Sequence, residues 1–255
     1  MNYLISASTD IGISKKTNQD SFSLRLSSTA CGNIVFAVLC DGMGGLAKGE
    51  VASSNVIRAF REWEETRLPQ LVNQGITDAD IRQDWSNIIR MLNDLIKSYG
   101  ASGGIRLGTT ITALLLTDTR YYIVNVGDTR CYEIYDDLYQ LTKDHSLVQR
   151  EIDMGNLTPE QAEVDPRRSV LLQCIGASDA VYPEFFFGTP KENAVYMLCS
   201  DGFRHVISKE EIFDGLQPAR MTSPDGMKSQ IVNLINLDKG RMEKDNITVL
   251  AVRTY

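Results

Sequence analysis

An aspartate at the end of an apolar segment recurs along this chain and constrains its fold more than any other feature. In residues 38–45 an apolar run ends in Asp41, and glycines follow. A short apolar run bounded by turn residues is typical of a buried strand. A strand end holds a carboxylate rigidly, and glycines let backbone groups approach a bound ion or phosphate. The segments around Asp128, Asp201 and Asp245 repeat this arrangement, so four strand ends carry an aspartate.

Two interpretations of these aspartates stay open, because a single Asp-Gly after a strand is more often a turn than a metal site. Four carboxylates at one rim would raise one another's pKa, so they either point apart or bind divalent cations. For the four together we favour cations. Oxygen ligands suit Mg²⁺ or Mn²⁺, and a chain with only two histidines offers few zinc or iron ligands. Two such ions could clamp a phosphoryl group, which predicts a phosphoester hydrolase without a protein nucleophile.

Composition excludes several classes of protein. The 255 residues include no apolar run near membrane-spanning length, and a net charge of -7 argues against nucleic acid as the main partner. A chain of this length can bury a core without disulfides, so we expect one domain over residues 1–255. Its 5 cysteines lack CxxC spacing, which suits reduced core residues. The first residues lack the pattern of a signal peptide, and we expect the protein in the cytoplasm.

Two long helices are predicted in the first half of the chain. One covers about residues 47–67, and the other runs from a capping box at Thr77 to Gly100. The apolar face of the second helix, which includes Leu95 and Tyr99, is expected to be core. Two more helices are predicted to begin later in the chain, at Ser208 and Ser223.

The strand pattern predicts an α+β fold, in which an antiparallel β-sandwich is flanked by helices on both outer faces. Residues 110–141 form a predicted meander whose short turns imply that consecutive strands pair. Residues 144–172 are interrupted by Gly and Pro and predict a surface subdomain or lid. The other predicted strands cover residues 2–8, 21–26, 33–40, 181–187, 194–199 and 247–252.

Eight short motifs follow one another along nearly the whole chain. Each is weak alone, but the ordered set is specific. Together they resemble the motifs of the metal-dependent Ser/Thr protein phosphatases of the PP2C or PPM family, in their compact bacterial form. The motifs occupy residues 9–12 with 18–20, 41–45 with 49–53, 108–110, 126–130, 141–146, 176, 198–202 and 245–249.

The resemblance implies a central β-sandwich flanked by helices and a two-metal centre. Asp41 would bridge both ions, and the Gly42 carbonyl would bind the first ion. Asp201 and Asp245 would bind the second ion. Asp20 would orient a metal-bound water from behind the ligands.

The same resemblance implies a weaker third metal site, formed by Asp128 with Asp201. It also places residues 144–172 at the flap, which lies beside the active site and meets the protein substrate.

The implied activity is hydrolysis of phosphoserine and phosphothreonine in proteins at a Mn²⁺ or Mg²⁺ centre. A metal-bridging water would attack, without a phosphoenzyme intermediate. The implied partners are phosphorylated proteins, including a Ser/Thr kinase and its targets, which this enzyme would oppose. We expect a monomer that binds neither nucleic acid nor membrane.

Three residues depart from the family pattern. Lys15 fills the position of the phosphate-binding arginine, and it supplies a point charge in place of a bidentate fork. Gln19 stands where many eukaryotic members have an acidic ligand, so water would replace that carboxylate. Met43 stands where eukaryotic members often have a histidine suggested as general acid, and methionine cannot donate a proton. Protonation of the leaving group would then fall to metal-bound water.

Two other functions are alternatives. A binding or regulatory module that had lost catalysis would lack Asp41, Asp201 or Asp245, and all three are present. A hydrolase of small phosphoesters or nucleotides would carry a basic or aromatic pocket signature, which is not evident here. His145 and His205 are interpreted as a turn residue and a surface residue.

Overall fold

A computed structural model describes residues 1–29, 31–43 and 48–255 of the chain. The predicted first helix includes residue 47 and the motif after Asp41 includes residues 44 and 45; these positions lie outside the described residues. The strands are β1 (Tyr3–Asp10), β2 (Ser21–Thr29), β3 (Gly32–Cys40), β4 (Ile111–Leu116), β5 (Tyr121–Val126), β6 (Arg130–Ile134), β7 (Leu138–Gln140), β8 (Glu184–Gly188), β9 (Val195–Cys199) and β10 (Ile247–Thr254).

These strands form two antiparallel five-stranded sheets. One has the order β1-β10-β9-β6-β7, and the other has the order β2-β3-β4-β5-β8. The helices are α1 (Gly49–Thr66), α2 (Leu68–Gln74), α3 (Asp78–Ser102), α4 (Leu147–Asp153), α5 (Pro159–Val164), α6 (Lys209–Leu216) and α7 (Pro224–Gly240). Of the helices in the described ranges, none is long and apolar enough to cross a membrane.

Strand β3 shows how one apolar run serves two cores. Val35, Ala37 and Leu39 pack between the two sheets. Phe36 and Val38 face the opposite way, toward α1, α2 and α3. Successive side chains of a strand point to opposite faces, so a strand buried on both sides is apolar throughout. Since α6 and α7 cover the outer face of the other sheet, the predicted helix-flanked β-sandwich is confirmed.

The predicted start of α3 is correct, but its predicted end and buried face are partly wrong. The Thr77 hydroxyl accepts from the backbone N–H of Asp80, and the Asp80 side chain accepts from Thr77, so the capping box forms. The helix continues past Gly100, and Leu95 and Tyr99 are about half exposed, at 54% and 48%. Ile89 and Ile96 are buried instead. Ile81, Trp85 and Leu92 are buried as predicted, and the buried face departs from the prediction only toward the end of the helix.

The predicted meander is interrupted at Gly127. Strands β4 and β5 pair, and β6 and β7 pair, but β5 and β6 belong to different sheets. Gly127 has a φ of 109°, and a Cβ there would lie 2.5 Å from Thr110 Cγ2. A residue with a side chain would be strained in this conformation and would clash. The short turn thus carries the chain across the sandwich rather than back along one sheet.

A buried acid lies near the end of α7. Asp238 is fully buried, and neither of its carboxylate oxygens has a hydrogen-bond partner among the described residues. Burial, and then the charge of Glu243, raises the pKa of Asp238 to about 8. The unfolded chain would ionise this group near pH 4. Folding stability should therefore fall as the pH rises from about 4 to about 8, because only the unfolded state releases the proton easily.

We expect Asp238→Asn to remove this pH-dependent cost. The variant should gain stability relative to the parent, and the gain should be about 3–4 kcal/mol larger at pH 8 than at pH 5. Thermal melts across this pH range measure it. Asp225→Asn, an exposed change in the first turn of the same helix, is the matched control for loss of one carboxylate. A pH-independent effect of Asp238→Asn would contradict the assignment.

Candidate metal centre

Three strand ends deliver aspartates to one rim of the sandwich. Asp41 follows β3, whereas Asp201 follows β9 and Asp245 precedes β10 in the opposite sheet. The Asp41 backbone is fixed by Thr110, since Asp41 N donates to Thr110 Oγ1 at 2.9 Å and Thr110 N donates to Asp41 O at 2.9 Å. The charge of Asp201 is among the causes that raise the pKa of Asp41, so the two carboxyl groups lie within electrostatic reach of each other. The structure therefore brings these two acids together from different sheets.

Two glycines let the loops of the site approach one another. A Cβ on Gly42 would lie 2.6 Å from the carbonyl oxygens of Gln19 and Gly49. A Cβ on Gly202 would lie 2.2 Å from the carbonyl oxygen of Asn246. Such distances exclude any side chain without a shift of backbone, so glycine at these two positions sets the spacing of the aspartates.

The pKa values of Asp41 and Asp20 are raised because these residues are buried close to other aspartates of the rim. Burial, followed by the charges of Asp20, Asp201 and neighbouring aspartates, raises the pKa of Asp41 well above its usual value. Burial raises the pKa of Asp20 to about 7, with further contributions from Asp201 and Asp245 and against two side-chain hydrogen bonds. One of these comes from Thr248, whose Oγ1 donates to Asp20 Oδ2 at 2.6 Å. A divalent cation would relieve this repulsion.

Donor chemistry at the rim fits Mg²⁺ or Mn²⁺. Asp201 Oδ1 is buried and has no hydrogen-bond partner in the described part of the chain. Across residues 1–29, 31–43 and 48–255, no three His, Cys, Asp or Glu side chains stand together as a complete ligand cluster. Mg²⁺ does not require one, because it keeps several waters and binds through one or two carboxylates. Asp41, the Gly42 carbonyl, Asp201 and Asp245 are the groups that could hold such ions.

Lys15 lies at the mouth of the same rim. Its Nζ is 2.8 Å from Asp245 Oδ1, and its side chain is 28% exposed. Although burial acts to lower it, the pairing with Asp245 and the charges of Asp41 and Asp201 raise the pKa of Lys15. Its ammonium group is therefore positioned beside three of the predicted site aspartates. The neighbouring Lys16 is exposed.

Asp128 lies in the crossing between β5 and β6 and faces Arg204. Burial, and then the charge of Asp201, raises the pKa of Asp128 to about 7, while Arg204 acts in the opposite direction. The guanidinium Nη2 of Arg204 is 3.5 Å from Asp128 Oδ2. Asp128 thus belongs to the same electrostatic cluster as Asp201, and it also has a cationic neighbour from the protein.

The interpretation of His205 as a surface residue is wrong. Its side chain is only 11% exposed, with Nε2 3.3 Å from Asp201 Oδ2 and Nδ1 3.4 Å from Glu243 Oε2. Glu243 Oε1 in turn accepts the backbone N–H of Asp245 at 2.8 Å. Burial opposes the charge, but hydrogen bonds to Asp201 and Glu243 raise the pKa of His205 to about 9. An imidazolium therefore links the loops of two predicted ligands. The sequence feature that could have indicated this contact is the position of His205 four residues after Asp201.

His145 is a buried residue that supports the Asp128 turn. It is 8% exposed, its Nδ1 accepts the N–H of Gly127 at 3.3 Å, and its backbone N–H donates to Gly127 O at 2.8 Å. Gln173 Nε2 lies 2.7 Å from the same Nδ1. His145 therefore fixes the turn before Asp128.

Asn246 is a site residue whose role the sequence did not indicate. Its Oδ1 accepts the N–H of Gln19 at 2.9 Å. Its Nδ2 donates to the carbonyl oxygens of Ile11 at 2.9 Å and Thr17 at 3.3 Å. One amide side chain thus joins the Asp245 loop to the segment that carries Lys15.

The two other departures from the family pattern lie near Asp41. Gln19 donates from its side-chain Nε2 to Glu50 Oε2 at 3.2 Å, and its carbonyl accepts the N–H of Gly42 at 3.1 Å. Met43 N donates to Gly108 O at 3.0 Å. Both residues therefore position the backbone of the Asp41 loop.

Known phosphatases resemble this chain in sequence. A family model described as protein phosphatase 2C matches residues 13–235. The protein phosphatase PhpP of Streptococcus pneumoniae is 30% identical over 251 residues, which cover 97% of this chain and 96% of the relative. The serine/threonine protein phosphatase PstP of Mycobacterium tuberculosis is 31% identical over 252 residues, which cover 93% of this chain and 46% of PstP.

Solved structures show the same architecture. The serine/threonine phosphatase of S. agalactiae superposes with a TM-score of 0.84 and 28% identity, covering 100% of both chains. The catalytic domain of PstP in complex with 2 manganese ions superposes with a TM-score of 0.76 and 27% identity, covering 99% of both chains. The sandwich is thus shared with structures of phosphatases, one of which was solved with manganese.

We expect Asn246→Asp to release the segment that carries Lys15. The added carboxylate oxygen would face the carbonyls of Ile11 and Thr17 in place of the amide donor, with a cost of about 2–3 kcal/mol in folding stability. Hydrogen exchange should increase in residues 11–18, and the melting temperature should fall. Asn87→Asp, an exposed change on α3, should alter neither. Unchanged exchange in residues 11–18 would show that other contacts hold this segment.

Proposed function

The chain belongs to the protein phosphatase 2C family, and we propose that it hydrolyses phosphoserine and phosphothreonine in proteins at a binuclear Mn²⁺ or Mg²⁺ centre. The observation that carries this proposal is the meeting of Asp41, Asp201 and Asp245 at one rim from three strand ends. Two ions held there would supply an activated water and charge for the transferring phosphoryl group, without a phosphoenzyme.

The residues at the rim would have different roles in metal binding and catalysis. Asp41 would bridge the ions, the Gly42 carbonyl would complete the first site, and Asp201 with Asp245 would form the second. Asp20, held by the Thr248 hydroxyl, would orient the attacking water from behind these ligands. His205 and Glu243 would hold Asp201 and Asp245 at a constant separation, because the imidazole contacts one loop and the glutamate contacts the other.

The substrate would be met by residues 144–172, which we propose as the flap. Two short helices, α4 and α5, lie in this segment, and Met154 and Val164 are 56% and 78% exposed. Exposed apolar side chains beside a catalytic rim could contact a protein substrate. Phosphoserine and phosphothreonine arise from Ser/Thr kinases, so the enzyme would oppose such a kinase and act on its targets as a cytoplasmic monomer.

A substrate panel tests this function against the alternatives. We compare phosphoserine and phosphothreonine peptides, a phosphotyrosine peptide and a nucleotide, each with Mn²⁺ and after chelation. Turnover of the first two peptides with Mn²⁺ supports the proposal. Preference for the nucleotide would indicate a hydrolase of small phosphoesters, and no turnover of any compound would indicate a binding module.

We expect Asp41→Asn to abolish Mn²⁺-dependent turnover, because the amide removes the charge shared by both ions. Loss of a group on which both ions depend should lower kcat by on the order of a thousandfold or more. Steady-state assays with a phosphothreonine peptide measure it. Asp214→Asn, at an exposed position on α6, should retain the parental rate. Chelator-resistant activity, or a normal rate for Asp41→Asn, would exclude the two-metal mechanism.

We expect Lys15→Ala to raise KM more than it lowers kcat. The ammonium group at the mouth would attract the free phosphate oxygens, whereas charge in the transition state is met mainly by the metals. KM should rise by on the order of tenfold, as for loss of one charge-assisted hydrogen bond. Lys16→Ala is the matched exposed control, and Lys15→Arg should keep or improve KM. An equal effect at Lys16, or an unchanged KM for Lys15→Ala, would assign the phosphate contact elsewhere.

A further inference from the structure

Arg204 places a fixed positive charge beside Asp128. Its Nη2 donates to the backbone carbonyl of Asp128 at 3.0 Å and lies 3.5 Å from Asp128 Oδ2. The same nitrogen is 3.7 Å from Asp144 Oδ2, and the side chain is 16% exposed. A guanidinium remains charged at any pH at which proteins fold. The position beside Asp128 therefore already contains a positively charged side chain of the protein.

Neighbouring groups hold Arg204 in this position. Arg130 binds Asp144 through two nitrogens, with Nε 2.8 Å from Oδ1 and Nη2 2.7 Å from Oδ2. Arg130 Nη1 also donates to the hydroxyl of Tyr132 at 2.9 Å. Asp144 is thus fixed by Arg130, and it lies beside the same Arg204 nitrogen that contacts Asp128. Two guanidinium groups alternate with two carboxylates, so the charges of this cluster balance without an added ion.

A metal ion bound by Asp128 and Asp201 would meet this guanidinium. Arg204 follows Asp201 by three residues in the same short turn, and its hydrogen bond to the Asp128 carbonyl keeps it beside Asp128. On the other side of Asp201, His205 Nε2 lies 3.3 Å from Oδ2. A divalent ion would therefore be repelled by a buried cation that can neither lose its proton nor move into solvent without breaking this cluster.

We propose that Arg204 takes the place of a third metal ion, so that this phosphatase binds two ions and uses the guanidinium to neutralise Asp128. The inference rests on the proposed two-metal function. It replaces the expectation, drawn from the family resemblance, that Asp128 and Asp201 bind a weaker third ion. Arg204 is a positioning residue here: its guanidinium holds Asp128 in place beside the metal ligands. Catalysis should then reach its maximum once the two core ions are bound.

Mn²⁺ binding measured by electron paramagnetic resonance tests the proposal, because free Mn²⁺ gives a signal that bound Mn²⁺ largely loses. The parent protein should bind two ions up to millimolar Mn²⁺, and Asp128→Asn should also bind two. Arg204→Gln should gain a weaker third ion, and its activity should show a second rise at Mn²⁺ concentrations on the order of tenfold higher. Arg204→Lys, which keeps the charge, should return to two ions. Arg220→Gln, at an exposed arginine, should match the parent.

Three bound ions in the parent, with one lost in Asp128→Asn, would overturn the proposal. Two ions and a parental Mn²⁺ dependence in Arg204→Gln would also overturn it, because the guanidinium would then be structural only. If Arg204→Gln does not fold, the parent and Asp128→Asn still decide the question. Failure of the two-metal function has a different signature: the parent would bind fewer than two ions, or Asp41→Asn would bind as many ions as the parent.

Discussion

Negative charge gathered at one rim of the sandwich is the constraint on which the site depends. Burial, together with the charges of neighbouring aspartates, raises the pKa of Asp20 and Asp128 to about 7. Such repulsion is stable only if cations are supplied nearby. The chain supplies three of its own, Lys15 at the mouth, His205 behind Asp201 and Arg204 beside Asp128. Bound metal ions would supply the remaining positive charge.

The two sheets make this concentration of charge possible. Asp41 belongs to one sheet, while Asp201 and Asp245 belong to the other, and the sheets are held together by an apolar layer that excludes water. The free energy of burying that layer offsets the electrostatic cost at the rim. Close approach at Gly42 and Gly202 then sets the positions of the carboxylates. A site drawn from several strand ends is rigid because each end is anchored in a sheet.

Much of the fold followed from local patterns. Short apolar runs bounded by turn residues located the strands, and the capping residues at Thr77, Ser208 and Ser223 located three helix starts. The crossing at Gly127 was missed, because a turn of the same length can close a hairpin or join two sheets. His205 was missed because its burial depends on Glu243, which is distant in sequence and adjacent only in the folded chain.

The sequence by itself determined the α+β class, the order of the elements and the aspartates at the ends of strands, since these depend on hydrophobic period and on short motifs. Only the tertiary structure decided that Asp41 and Asp201 meet from different sheets and that Asn246 joins the Asp245 loop to the Lys15 segment. It also decided that Arg204 faces Asp128. The physical reason is that a charge acts over a few ångströms through space, whereas a sequence pattern records only the separation along the chain.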